Sequence, residues 1–308
     1  MTQENAISVT HLAKSFGSTQ AVRDVSFDVR RGEIFGLLGP NGAGKTTTIR
    51  MILDIFKPDK GSISVLGGPM SEQKKDWVGY LPEERGLYKD ISVENCVQYL
   101  AELKGISRTE AKDRAARYFS QLDLTDHRKK KVQDLSKGMQ QKVQIITTLI
   151  HQPKLLIIDE PFSGLDPLNT RLIQDLLLQE RDRGTTIVMS THQMYQVEEM
   201  CNRLVLIDKG DSVLYGAVDE IRRRYADNAV RVVVQGALPQ IDGVRETSRK
   251  GNAHTLQLPD HLTPQALLHQ LTAAPNLLIE SFSLALPTMD DIFVRVVGET
   301  RPIAKGTD

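Results

Sequence analysis

Gly39-Pro40-Asn41-Gly42-Ala43-Gly44-Lys45-Thr46 fits the pattern G-x-x-x-x-G-K-[ST] at every position. Glycines at this spacing let backbone N–H groups turn inward around phosphate oxygens. Lys45 adds an ammonium for the β- and γ-phosphates, the Thr46 hydroxyl is a ligand for Mg2+, and Thr47 continues the nucleotide-binding run. A second chemical group stands at Leu155-Leu156-Ile157-Ile158-Asp159-Glu160, an apolar run ending in two carboxylates. Asp159 is suited to hold the metal, directly or through water. Glu160 is suited to polarise an attacking water as general base. Together these residues point to hydrolysis of a nucleoside triphosphate.

For the two groups to meet, each must lie at the end of a strand. Ile34 to Leu38 reads as a buried strand running into Gly39, and a helix from Lys45 to about Phe56 follows. That helix brings the positive end of its dipole to the loop. Leu155 to Ile158 and Thr185 to Met189 read as further buried strands. Between them Pro167 to Gly184 forms a helix, entered after Asp166 and closed by a glycine. Buried strands separated by helices predict an α/β core with a mainly parallel sheet, whose ligands bind at the carboxyl ends of the strands.

The remaining segments frame this core. Ile7 to Phe35 reads as short strands and turns, with one turn at Arg31-Gly32. Gly61 to Gly67 is a strand ending in a turn. From Ser92 to about Leu122 the pattern is helical: Ser92 with Asn95 opens one helix, and Ser107 with Glu110 forms a capping box for the next. Arg203 to Asp208 and Ser212 to Tyr215 pair around Lys209-Gly210. Beyond about residue 225 the character changes. A strand at Val230 to Val234, a hairpin turning at Lys250-Gly251-Asn252, a helix Thr263 to Thr272, a strand Leu277 to Leu286 and a helix Thr288 to Val297 form a small α+β unit. The domains are therefore expected at 1–225 and 226–298, followed by a polar, frayed tail at 299–308.

Composition narrows the partners. Lys plus Arg is 39 and Asp plus Glu is 39, so the basic excess of a nucleic-acid binder is missing. Two short basic runs, Arg128 to Lys131 and Arg222 to Arg224, fit a solvated surface, or contact with anionic lipid. Cys96 and Cys201 show no pairing pattern, fit a reducing compartment, and are expected to be partly buried. The polar stretch Met1 to Thr10 shows no signal peptide, and no run reaches the ~20 apolar residues of a spanning helix. If the protein serves a membrane, it does so through a partner.

Leu135-Ser136-Lys137-Gly138-Met139-Gln140-Gln141 resembles the LSGGQ signature of the ABC ATPases. With it, residues 5 to about 220 resemble that superfamily. Ser163-Gly164-Leu165-Asp166 matches its D-loop, His192 its switch histidine, and Phe16 its adenine-stacking aromatic. The resemblance implies an ABC ATPase core with N-terminal antiparallel strands and a helical subdomain at about 87–150. It also implies an ATP-sandwich homodimer. There Ser136, Lys137, Gly138 and Met139 of one chain face the γ-phosphate held by the other, and Asp166 couples the two sites. His192 and Lys45 join Glu160 in catalysis, with ATP and Mg2+ as cofactors.

Two departures stand out. The signature reads Ser-Lys-Gly-Met where Ser-Gly-Gly-Gln is usual, with Ser136 and Gly138 kept. In Tyr80-Leu81-Pro82-Glu83-Glu84-Arg85, Glu83 stands where many ABC ATPases carry a glutamine that contacts Mg2+, so Glu83 is expected to be a metal ligand with Thr46 and Asp159.

The LSKGM form, the Leu81 to Tyr88 segment and the Met289-Asp290-Asp291-Ile292-Phe293 ending resemble the ATPases of prokaryotic type-2 exporters, including sodium-extrusion and multidrug or antibiotic-resistance ATPases. That resemblance implies a peripheral subunit at the cytoplasmic face of the membrane, bound to a separate polytopic chain of about six spanning helices. The rival reading is a soluble ABC ATPase acting as a nucleotide-gated regulatory or binding module. The chain carries one cassette and no long coiled coil between Lys45 and Ser136, as ribosomal and DNA-repair ABC ATPases would require.

Overall fold

The computed structural model describes residues 4–84 and 86–300, the side chains of 299 and 300 excepted. Arg85 of the Tyr80 to Arg85 segment, residues 1–3 and residues 301–308 of the expected tail lie outside the described residues. The chain divides into two compact units, Met1–Val218 and Asp219–Asp308.

The first unit begins with β1 (Asn5–Phe16), β2 (Thr19–Arg30), β3 (Ile34–Leu38), α1 (Lys45–Ile52), β4 (Lys60–Val65), α2 (Glu72–Lys75) and β5 (Val78–Leu81). Three helices follow, α3 (Val93–Leu103), α4 (Arg108–Gln121) and α5 (Lys137–Leu149), with short 3-10 turns at Thr125–His127 and Val132–Asp134. Then come β6 (Leu155–Asp159), α6 (Pro167–Asp182), β7 (Thr186–Thr191), α7 (Met194–Met200), β8 (Arg203–Asp208), β9 (Asp211–Ala217) and α8 (Val218–Arg224), at whose start the units divide.

Nine strands form one sheet in the order β4-β1-β2-β9-β8-β3-β7-β6-β5. β3 lies parallel to β7 and β8, and β6 lies parallel to β7 and β5. Every residue of β3, β6 and β7 is buried, the pattern of strands covered on both faces. The outer strands β4, β1 and β2 are antiparallel. Where the sequence reads as short strands and turns, β1 and β2 are two continuous strands of 12 residues each. Register shifts between Val9 and Leu12 and between Leu12 and Lys14 interrupt the pairing, and His11 adopts φ +47°. Such bulges break apolar alternation, so one long strand reads as several.

Three other expectations change. The helix after the phosphate loop ends at Ile52 rather than near Phe56. Asp54 turns left-handed (φ +61°), and Pro58 disfavours helix at Lys57. The capping box at Ser107 forms by half: Ser107 Oγ accepts from Glu110 N at 3.3 Å, while the Glu110 carboxylate pairs with Arg114. Cys96 and Cys201 are both buried in the core, and desolvation pushes both thiols up. The short β5, α2 and α7 carry too few residues to show a period.

The second unit holds β10 (Ala229–Gln235), β11 (Arg245–Lys250), β12 (Ala253–Gln257), α9 (Pro264–Thr272), β13 (Leu278–Leu284) and α10 (Met289–Thr300). Its antiparallel sheet runs β11-β12-β10-β13. Val230, Val232, Val234 and Leu256 on one sheet face pack with Leu267 and Leu271 of α9. Gly251 (φ +62°) turns the β11–β12 hairpin. Among the described residues no helix is long and apolar enough to cross a membrane.

Candidate active site

The phosphate loop leaves β3 at Gly39 under tight constraint. Gly39 has φ +149°, and a Cβ there would come within 2.1 Å of the Ile207 carbonyl oxygen on β8. Gly44 has φ +110°, and a Cβ would meet the Ala21 carbonyl oxygen at 2.6 Å. Both positions demand glycine, because any larger residue would strike backbone. Lys45 Nζ folds back into the loop, donating to the Gly39 carbonyl at 2.8 Å and the Pro40 carbonyl at 3.2 Å. Burial lowers the pKa of this ammonium, and the charges of Glu160, Asp159 and Glu83 oppose that shift.

The parallel register brings the acidic strand end beside the loop. Asp159 pairs with Ser190, and Leu38 with Thr191. Thr46 Oγ1 donates to Asp159 Oδ2 at 3.1 Å, and Ser190 Oγ donates to Asp159 Oδ1. Glu160 follows in a left-handed conformation (φ +52°), where a residue with a side chain carries strain. Three groups hold its carboxylate. The His192 N–H donates to Oε1 at 3.1 Å, His192 Nδ1 lies 2.7 Å from the same oxygen, and Thr191 Oγ1 donates to Oε2 at 3.4 Å. With the carboxylate ionised, Nδ1 carries the proton of this contact.

These groups line a cleft of about 380 Å3 formed by Asn41 to Thr47 with Ala21, Glu83, Asp159, Glu160, Ser163 and His192. A second cavity of about 300 Å3 shares Thr46, Glu83 and Asp159 and adds Arg50, Tyr80, Pro82, Glu84 and Gly86. Gly39 and Pro40 do not line the cleft; their carbonyls accept from the ammonium of Lys45, which does. The donor set around Thr46, Asp159 and Glu83 is all oxygen, which suits Mg2+, a hard ion that completes its shell with phosphate and water.

Other expected site residues lie outside the cleft. Ser136 caps α5, its Oγ accepting from Met139 N at 3.3 Å, and Ser136, Lys137, Gly138 and Met139 line no part of the cleft. Phe16 is 45% exposed, meets Phe56 edge-on at 5.3 Å and has the Lys14 ammonium 5.6 Å from its ring centre. Asp166 caps α6 by accepting from Asn169 N at 2.9 Å; this bond leads the causes that lower its pKa. Conversely, Ala21, Ser190 and Thr191 belong to the site without having been expected, while Ser163 of the expected D-loop lines the cleft. Ser190 and Thr191 carried a signal, since hydroxyls at the end of a fully buried strand need partners.

A larger apolar groove of about 590 Å3 lies beside β5, lined in part by Leu53, Ile55, Met70, Tyr80, Leu100 and Leu103.

Comparison with known proteins places this geometry. A family model described as "ABC transporter" matches residues 22–163, and one described as "ATP-binding protein DrrA1-3-like, C-terminal domain" matches residues 216–297. The uncharacterized ABC transporter ATP-binding protein YhaQ of Bacillus subtilis (strain 168) is 38% identical over 95% of this chain and 98% of its own. The chain belongs to the ABC transporter ATP-binding proteins. The linearmycin resistance ATP-binding protein LnrL of the same organism is 31% identical, over 94% of this chain and 97% of its own. A solved structure of an ATP binding subunit of an ABC transporter superposes with a TM-score of 0.67 at 32% identity, covering 71% of this chain and 93% of that one. As a member of this family, of the type-2 exporter branch, the chain binds ATP and hydrolyses it as a transporter subunit. The reading as a soluble regulatory module is not favoured.

Proposed function

We propose that two copies of this chain clasp each ATP between them and that hydrolysis drives export through a separate polytopic membrane subunit. One observation carries the two-chain reading: Ser136 to Met139 form a capped helix end outside the cleft that Lys45 lines. A helix N-terminus favours an anion, and the phosphate loop of a second copy would supply one. Within each site, the loop N–H groups and Lys45 hold the phosphates, and the exposed Phe16 ring stacks on adenine. Thr46, Asp159 and Glu83 would hold Mg2+, which when bound would supply positive charge against the phosphate oxygens. Glu160 takes the proton of the water attacking the γ-phosphorus, and ADP leaves. His192 orients Glu160 through the 2.7 Å contact and, protonated at both ring nitrogens, stabilises the developing phosphoryl charge. Asp166, at the cap of α6, couples the two sites.

Residues 1–225 serve as the ATPase domain, with 87–150 as its helical subdomain, and 226–298 as an accessory domain. The apolar groove beside β5 suits a helix of the membrane subunit. It carries the exposed Ile55 and Leu103, and Tyr80 joins it to the cavity that holds Glu83. The chain would then sit peripherally at the cytoplasmic face.

Mixing two inactive variants tests the two-chain reading. A Lys45→Ala chain with a Ser136→Arg chain forms one composite site with both lesions and one with neither. ATPase activity should reappear on mixing; complete inactivity of the mixture would remove the support for shared sites.

A further inference from the structure

One face of α5 follows β5 and the loop beyond it. Thr148 Oγ1 donates to the Gln144 carbonyl at 2.8 Å, and His151 Nε2 lies 3.2 Å from the Val78 carbonyl oxygen. Gly79 lies against the same face: a Cβ there would come 2.8 Å from the Thr148 carbonyl oxygen and 3.1 Å from Thr148 Cγ2. Gln144 extends this row to the loop itself, its Nε2 donating to the Glu84 carbonyl at 3.1 Å. One turn nearer the start of the helix, Gln141 Nε2 donates to the Pro161 carbonyl at 3.2 Å, next to Glu160. Both glutamines are 4% exposed. A buried amide is costly unless hydrogen-bonded, so its place here is explained by the bond it makes.

Glu84 adjoins Glu83, which lines the nucleotide cleft. Gln144 therefore connects the segment carrying a cleft carboxylate to the helix whose first turn holds Ser136, Lys137, Gly138 and Met139. The eight residue steps from the cap Ser136 to Gln144 span about 12 Å along one helix, short enough to move as a rod. We infer that Gln144 is a positioning residue that ties the Glu83 segment to the signature helix. The state of a chain's own nucleotide cleft thereby sets how its Ser136 end is presented to the nucleotide of the second copy. This rests on the two-chain reading above. The tie needs a neutral donor of glutamine's length: an aliphatic side chain supplies no donor, and a carboxylate would oppose the Glu84 carbonyl.

Gln144→Met keeps the length and removes the amide. It gives up one neutral hydrogen bond and also removes Oε1, which is buried without a partner among the described residues, so the fold should persist. ATP affinity should stay within about twofold of wild type while kcat falls about fivefold to tenfold, the split expected when positioning rather than binding is lost. Hydrogen exchange should accelerate in the amides of 137–141, with or without a second copy bound. In a mixture with Lys45→Ala chains, the live composite site uses the loop of the Gln144→Met chain and the intact signature helix of the other. Heterodimers isolated from that mixture should match heterodimers of wild type with Lys45→Ala. A fivefold to tenfold deficit there would place Gln144 within its own cleft and overturn the proposal, as would an unchanged kcat or unchanged exchange. Failure of the Lys45→Ala and Ser136→Arg mixture would sink the two-chain reading instead, and the exchange measurement would still judge the tie. Should Gln144→Met not fold, Gln144→Glu takes its place with the same readouts, since its carboxylate cannot donate to Glu84.

Discussion

The two sheets of this chain are built from similar apolar residues but collect chemistry very differently. In the nine-stranded sheet, β3, β7 and β6 run parallel, so Gly39, His192 and Glu160 all follow the same edge. In the four-stranded sheet every neighbour is antiparallel, so successive strand ends fall on opposite edges and no edge gathers them. Its polar residues instead decorate a face, as with the exposed Arg231 and Ser283, while α9 covers the other. Parallel strands bring residues distant in sequence into one cleft; antiparallel strands distribute them.

The sharpest break in this contrast is at the strand edge itself. Glu160→Gln should keep ATP binding and lower hydrolysis at least about 100-fold, because an amide cannot accept the proton of water. Size-exclusion chromatography with Mg-ATP should then show a persistent dimer, and near-wild-type turnover would remove Glu160 as base.

Next in size is an effect of acid on the first unit. Burial pushes the pKa of His151 down to about 4, against 6.5 for the free side chain. The unfolded chain takes up the proton first, so stability is full above about pH 6.5 and falls as pH drops toward 4. The loss reaches about 3 kcal/mol at most. Trp77 is the chain's single tryptophan and lies in the first unit, so its fluorescence in urea titrations reads this unit alone. His151→Gln should flatten the slope between pH 6.5 and 4, and an unchanged slope would assign it to other groups.

Glu83→Gln should raise the Mg2+ concentration for half-maximal ATPase activity about threefold, since a neutral amide oxygen replaces a carboxylate near a hard cation. Equal Mg2+ curves would exclude Glu83 as a metal contact.

The smallest expected effect is none. Residues 1–225 alone should bind ATP within about twofold of the full chain, because the cleft draws every lining residue from the first unit. Loss of binding by a folded 1–225 fragment would mean that the second unit shapes the cleft.

What the sequence by itself determined is what covalent neighbours determine. Glycines at 39 and 44 announce a loop that only glycine can make, and Ser92, Ser107, Ser136, Asp166 and Thr263 announce helix starts, where each side chain accepts from an N–H three residues on. The hairpin at Gly251 was legible for the same reason. Tertiary structure alone decided the rest. The parallel register placed Asp159 beside Ser190 and Thr46, and the four-residue β5, too short to show a period, carried Glu83 to the cleft. The same packing left Ser136 outside that cleft and tied its helix to Pro161 and Glu84 through Gln141 and Gln144. Local conformational preference acts over three or four residues. Which strands become neighbours depends on burying the whole core at once, and no local pattern records it.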